Sequence, residues 1–425
     1  MAIPSAVPPA AHARSGVLAL STWCIVAAFG TYFCMYAFRK PFTAAAYDAP
    51  SYKATLITAQ VLGYAFSKVL SVRIVAQMRP QDRAGWILAL IGAAQLALFF
   101  FALVPAPYNA ACLFCNGLPL GMVFGLVLGF LEGRQVTEAL TAGLCASFIV
   151  ADGVMKSVGA YLLQAGVTEA WMPFTAGLVF AAPLVLFVWM LTRIPLPSPS
   201  DVAARSERVP MRRPERRRFF WRYAPGLSLL VLAYLLITIL RSVRADFAPE
   251  LWRGLGTTGQ PDVFTRSEAL VALGVILCNG LAVFIRDNGR AFSMALLIAA
   301  SGLVLIGLAL AAFHAGWLSP FALMVLLGLG LYLPYVAVHT TLFERLIAMT
   351  RDRGNLAYLM CLADAVGYLG YVAVMLAGHF WDGRTNLVDL FFLSSALIAA
   401  ASLAALVACW CYFAWHPTTA PALRA

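Results

Sequence analysis

The sequence predicts an all-α, polytopic membrane protein of twelve transmembrane helices arranged as two pseudo-symmetric bundles of six. Three observations carry that prediction. The 425 residues are 62% hydrophobic and 12% charged, with a mean hydropathy of +0.83, too apolar for a soluble fold. Apolar runs of about 20 residues recur along the whole chain, each long enough to cross a bilayer as a helix. Short pieces of the first half also reappear in the second, two of them at the same offset. In a bilayer the backbone must satisfy itself within helices, so irregular structure is expected only around a cavity.

The spans are expected at 16–45, 52–77, 84–104, 108–133, 137–166 and 171–193, then at 223–250, 266–286, 290–314, 319–345, 355–380 and 388–414. Residues 1–15 form an N-terminal tail, rich in Pro and Ala and without a cleavage site, so no removable signal is expected. Residues 16–193 form the first bundle, 194–222 a linker, 223–414 the second bundle and 415–425 a tail. Connections 105–108, 167–170 and 315–318 contain no Lys or Arg. The opposite side carries Arg73, Arg79, Arg83, Arg134, Arg286, Arg290, Arg345, Arg351 and Arg353, which puts both termini in the cytoplasm. The linker opens with Pro195, Pro197 and Pro199 and closes with an arginine-rich stretch ending at Arg222. Topology explains that charge, and contact with anionic lipid is the alternative.

The net charge of +11 is therefore placed for topology, and no nucleic-acid partner is expected. The nine cysteines lie scattered in apolar runs and read as small buried side chains. Cys112 and Cys115 form a CxxC with no second pair or histidine nearby, so no metal or other cofactor is expected. Signatures of hydrolases, zinc proteases and nucleotide-binding loops are missing, which argues against an enzyme.

The first span ends in Tyr32-Phe-Cys-Met-Tyr36-Ala-Phe-Arg39-Lys40-Pro41-Phe42. At helical pitch Tyr32, Tyr36 and Arg39 share one face. Arg39 either snorkels to an interface or faces a watery interior with a partner. The seventh span holds Arg241 and Arg244, three residues apart and well inside an apolar run. A guanidinium stays charged when dehydrated, and its planar fork of donors suits phosphate or carboxylate. Lys68 stands four residues after Tyr64 in the second span, either as a further cation or paired with an acid on a neighbouring helix.

The offset is 212 residues: Phe130-Leu-Glu132 and Ala151-Asp152 return as Leu342-Phe-Glu344 and Ala363-Asp364. Arg39-Lys40-Pro41-Phe42 has a counterpart in Arg244-Ala-Asp246-Phe247, and Arg83-Ala84 in Arg290-Ala291. Repeated halves of this kind suit a transporter whose site lies between them at mid-membrane.

These residues carry a resemblance. Tyr32, Tyr36, Arg39-Lys40 and Phe42, followed by Gly63-Tyr64-Ala-Phe-Ser67-Lys68, resemble the first two helices of the organophosphate:phosphate antiporters. Those proteins are the branch of the major facilitator superfamily that carries glycerol 3-phosphate and hexose 6-phosphate. Leu240-Arg241 with Asp246-Phe-Ala-Pro249, Tyr332-Leu-Pro334 with Glu344, and Gly367-Tyr368-Leu-Gly370 are similar to their seventh, tenth and eleventh helices. The resemblance implies a monomeric secondary transporter in a bacterial inner membrane. It implies that Arg39 and Arg241 bind the phosphoryl group beside Lys68; Arg244, by its spacing from Arg241, is a further candidate ligand on a neighbouring part of the same face. Tyr32, Tyr36, Tyr64, Tyr332 and Tyr368 would line the pathway, and Lys40 would pair with Asp246 across the halves.

Where that family has a histidine in its fifth helix, this chain has Asp152, with Lys156 one turn on. The two either neutralise each other or make Asp152 a proton-binding group in the cavity. Asp364 is the second candidate for proton handling. Glu132 and Glu344, with Arg83 and Arg290, are candidates for an inner latch. Gly117, Gly121, Gly125 and Gly129 form a glycine ridge suited to close helix approach. His339 reads as packing on an apolar face. The expected activity is exchange of a small organic anion, a phosphate ester, for phosphate. The alternatives are proton-coupled symport of a carboxylate and a membrane-embedded sugar-phosphate sensor.

Overall fold

The computed structural model describes residues 10–47, 50–131, 137–195, 213–257, 260–283, 287–350, 356–378 and 386–416, with Ile285 and Thr419. Twelve long helical rods run through these residues. They are α1 (Ala10–Met35), α2 (Pro50–Gln77), α3 (Arg83–Leu103), α4 (Ala110–Leu131), α5 (Thr137–Gln164) and α6 (Met172–Thr192). They continue with α7 (Ala224–Asp246), α8 (Asp262–Val283), α9 (Asn288–His314), α10 (Pro320–Thr350), α11 (Leu356–Gly378) and α12 (Leu387–Trp415). Ten of the rods are long and apolar enough to cross a membrane. The other two are α2, which carries Lys53, Gln60, Lys68 and Arg73, and α11, whose apolar part is the shorter Leu362–Gly378.

The packing repeats between the halves. In the first, α1 lies against α5 and α6, α4 against α2 and α3, and α3 against α6. In the second, α7 lies against α11 and α12, α10 against α8 and α9, and α9 against α12. Among the described residues the two most extensive contacts between the halves are α2 against α11 and α5 against α8. The seam between them holds most of the buried charge.

Two expected spans are not continuous helices. Residues 16–45 were expected as one; α1 instead stops at Met35 and continues as two 3-10 turns, Tyr36–Phe38 and Pro41–Ala44. Pro41 has no N–H to continue the ladder, and Arg39 leaves helical geometry at φ −121°. The Tyr32-Tyr36-Arg39 stripe therefore does not run at strict helical pitch. Freed carbonyls at the break are taken by side chains: Gln60 Nε2 donates to Arg39 O and Asn116 Nδ2 to Phe38 O, both at 3.0 Å. Likewise 223–250 is interrupted at Phe247 (φ −108°), after which a short helix runs Ala248–Gly254 with Pro249 in its first turn. The breaks fall at matching places in the two repeats, as backbone irregularity does where it faces a protein interior.

Two smaller differences complete the comparison. The basic end of the expected 194–222 linker is helical over Arg213–Arg222. The α10 rod widens into a π-helical turn at Val338–Leu342. On α4, Gly117 and Gly121 sit where a Cβ would meet α2 backbone, at 2.9 Å from Tyr64 N and 2.8 Å from Tyr64 O respectively. That close approach aligns Gln60, Tyr64 and Lys68 along the seam.

Candidate binding site in the seam

Arg39, from the break in α1, and Arg241, from α7, line one hollow between the halves together with Tyr36, Lys40, Asp246, Tyr368 and Tyr371. The hollow has room for about one water molecule. Neither arginine reaches an interface: they are 6% and 9% exposed. Arg39 lies over the Tyr64 ring at 3.8 Å and Arg241 over the Tyr335 ring at 4.3 Å. Tyr36 and Tyr332 flank them at 5.7 and 5.8 Å. Among the described residues no carboxylate is within ion-pair distance of either guanidinium, and Nε of each has no hydrogen-bond partner.

The remaining cations are engaged. Lys40 Nζ meets Asp246 Oδ1 at 2.5 Å and Asp152 Oδ1 at 3.4 Å, so it ties its own half to the other. Asp246 also accepts from the Tyr371 hydroxyl at 2.9 Å. Asp152 pairs with Lys156, one turn on, as well as with Lys40. Lys68, a candidate ligand cation in the sequence, bridges the seam to Asp364 at 3.2 Å. Arg244 does not join Arg39 and Arg241. Its guanidinium binds Glu268 at 2.7 Å and the Met324 carbonyl at 2.9 Å inside the second half, because three residues turn it about 60° away from Arg241 on α7.

The aromatic candidates converge. Tyr32 packs edge-on against Tyr36 at 5.6 Å, and Tyr64 meets Tyr368 across the seam at 5.2 Å. Of the latch candidates, Glu132 lies outside the described residues. Arg83 donates to the Gly129 carbonyl at 2.5 Å, and the Arg290 backbone N–H is capped by Asp287. His339, read as packing, is drawn into a polar cluster with Asp364 and Tyr234.

Sequence reasoning missed several seam residues. Lys53, 1% exposed, binds Glu250 across the halves at 2.6 Å. The Ser157 hydroxyl donates to Pro261 O and meets the Thr265 hydroxyl at 2.7 Å. Tyr335 and His339 follow Tyr332 at i+3 and i+7 on α10, a polar stripe in an apolar run that periodicity could have flagged. Nothing local distinguishes Ser157.

Residues 41–416, most of the chain, match the family described as a family of unknown function, DUF5690. The chain belongs to that family. No curated protein matches it by sequence. Its fold is similar to that of a D-xylose–proton symporter in crystal form, with a TM-score of 0.64 and 13% identity over 95% of this chain and 98% of that one. It is also similar to the nucleoside transporter NupG (0.60, 12% identity, 93% and 100% covered). A third similar structure is a bacterial homolog of the human lysosomal transporter Spinster, captured inward-facing and unoccupied (0.54, 14%, 95% and 97%). The architecture is therefore the major facilitator fold. At these identities the likeness establishes the fold alone and no specific branch.

Proposed function

We propose that this DUF5690 protein is a secondary transporter of a small organic anion, working by alternating access, and that its cargo is a phosphate ester exchanged for phosphate. The observation that carries the reading is the pair of buried guanidiniums, one from each half, facing one hollow whose single carboxylate, Asp246, is bound to Lys40, with none in ion-pair distance of either arginine among the described residues. A buried charge without a counterion is expensive, so the site is built for a negative guest. Two guanidinium forks can together grip the oxygens of a phosphoryl group, and tyrosine hydroxyls can donate to the rest.

The same charges supply the coupling. With the site empty, Arg39 and Arg241 repel each other across the seam and oppose closure. An anion neutralises them and lets the halves close and reorient, so passage requires cargo in both directions. The hollow has room for only about one water, so an ester enters only after the halves part on one side. The arginine distribution supports a multi-pass orientation with both termini cytoplasmic.

The test is counterflow of radiolabelled phosphate in proteoliposomes containing the purified protein, with phosphate esters as competitors. Arg39→Ala and Arg241→Ala should each reduce exchange to the protein-free background. Arg241→Lys should keep the charge but lose the fork, cutting exchange at least ~10-fold, about 1.4 kcal/mol. Near-normal exchange in either alanine variant would remove the clamp. Saturable binding of esters without flux would make the protein a sensor instead.

A further inference from the structure

One group in the seam has a geometry that neither anion binding nor packing explains. His339 is 7% exposed and sits on the π-helical turn of α10. Its Nδ1 is 3.1 Å from the Tyr335 carbonyl oxygen, which can only accept. The other ring nitrogen, Nε2, faces a second acceptor, Asp364 Oδ1, at 3.4 Å. A neutral ring has one hydrogen for these two oxygens, so either tautomer sets one lone pair against an acceptor. The Tyr234 hydroxyl does not relieve it: its single hydrogen goes to Asp364 Oδ1 at 2.6 Å, while Nε2 is 3.5 Å away. A second proton on the ring satisfies both oxygens and makes an ion pair with Asp364.

We infer that His339 is a proton-binding site whose occupancy loosens the Lys68–Asp364 bridge and so parts the two halves at that end of the seam. Asp364 Oδ2 is held by Lys68 from the other half at 3.2 Å. Once His339 is charged, Asp364 is shared between two cations on opposite sides of the seam, which repel each other. Among the described residues His339 has no ion-pair partner besides Asp364, and a further charge, Arg241 of α7, lies over the neighbouring Tyr335 ring at 4.3 Å. From α7 comes Tyr234, from α10 itself the Tyr335 ring at 4.7 Å, and from α5 the Cys145 thiol beside Asp364. The ionisable residues of α9, Arg290 and His314, are at its two ends. Glu344 and Arg345 follow a turn later on α10, Arg345 being bound to Asn288.

The consequence for transport rests on the anion reading above. A proton here adds a positive charge near a site that already lacks counterions, so proton and anion favour each other's binding, reciprocally. The proton site itself does not depend on what the arginines bind.

The deciding measurement is hydrogen–deuterium exchange of the full-length protein in phospholipid nanodiscs, without ligand. It is run from about pH 8 to about pH 5.5, either side of an ordinary histidine pKa of ~6.5, and corrected for intrinsic exchange. Exchange of α2 around Lys68 and of α11 around Asp364 should rise several-fold on acidification. His339→Gln keeps a neutral donor and should abolish the rise, with His339→Asn as the alternative should glutamine disturb folding. Lys68→Ala should be open at both pH values. A flat wild-type profile, an unchanged rise in the His339 variants, or a persistent rise in Lys68→Ala would each overturn the proposal. An intact pH response in a protein that shows no phosphate counterflow would put only the anion reading at fault, so the two failures are distinguishable.

Discussion

At the scale of single residues, the seam separates cations that have partners from cations that wait for one. Lys40 shows the first kind, set between Asp246 and Asp152 and barely exposed. Removing one member of such a group leaves charge stranded in low dielectric, at a cost of about 3–5 kcal/mol. Lys40→Ala should therefore lower the thermal unfolding midpoint in detergent markedly. Lys40→Ala with Asp246→Asn should recover most of that loss, because Tyr371 can still hydrogen-bond the amide. A double variant no more stable than the single would mean that the Lys40–Asp246 pair carries no coupling energy. Arg39 and Arg241 behave in the opposite sense: their truncation removes an uncompensated charge, so transport should suffer far more than stability.

At the scale of elements, the decisive features are places where helices approach closely or break. Gly117 lets α4 lie against the α2 backbone near Gln60 and Tyr64. Gly117→Val should push the two apart, lowering stability by about 1–3 kcal/mol and shifting Tyr64 from beneath Arg39. Gly92, where a Cβ meets nothing within 4 Å, is the matched control. Gly92→Ala should leave the unfolding midpoint unchanged or slightly raised, since alanine favours helix by about 1 kcal/mol. The paired breaks in α1 and α7 place backbone carbonyls and the Arg39-Lys40 step toward the interior, where an unbroken helix would carry those side chains past it.

At the scale of the whole molecule, the two halves touch through α2–α11 and α5–α8, and the proposed transport requires them to part there. Polar pairs span the seam along its length: Lys53–Glu250, Lys40–Asp246 and Lys68–Asp364 on or near α2, and Ser157–Thr265 on the α5 side. Lys53 and Lys68 are fifteen residues apart, so pairs from α2 cross the seam over about 22 Å. Ser157 and Thr265 hydroxyls are 2.7 Å apart, close enough for a cross-link once both are replaced by cysteine. Ser157→Cys with Thr265→Cys should arrest phosphate counterflow under oxidising conditions and regain it on reduction. Exchange undiminished by a quantitatively formed cross-link would show that this contact does not open during turnover.

Hydropathy along the chain was enough to determine the succession of long rods and, in most cases, their ends to within a few residues. Those are properties of local composition and period, and a single chain segment carries them. It also marked Arg39, Arg241 and Lys68 as charges in apolar surroundings, because cost in a bilayer depends on the residue and its neighbours in sequence. Which charges are paired depends on distances between segments, and only the tertiary structure decided that. Lys68 went to Asp364, Arg244 to Glu268 and His339 to the edge of a carboxylate, leaving two arginines facing one hollow. Electrostatic energy falls with separation in space, and separation in space is what a linear pattern does not contain.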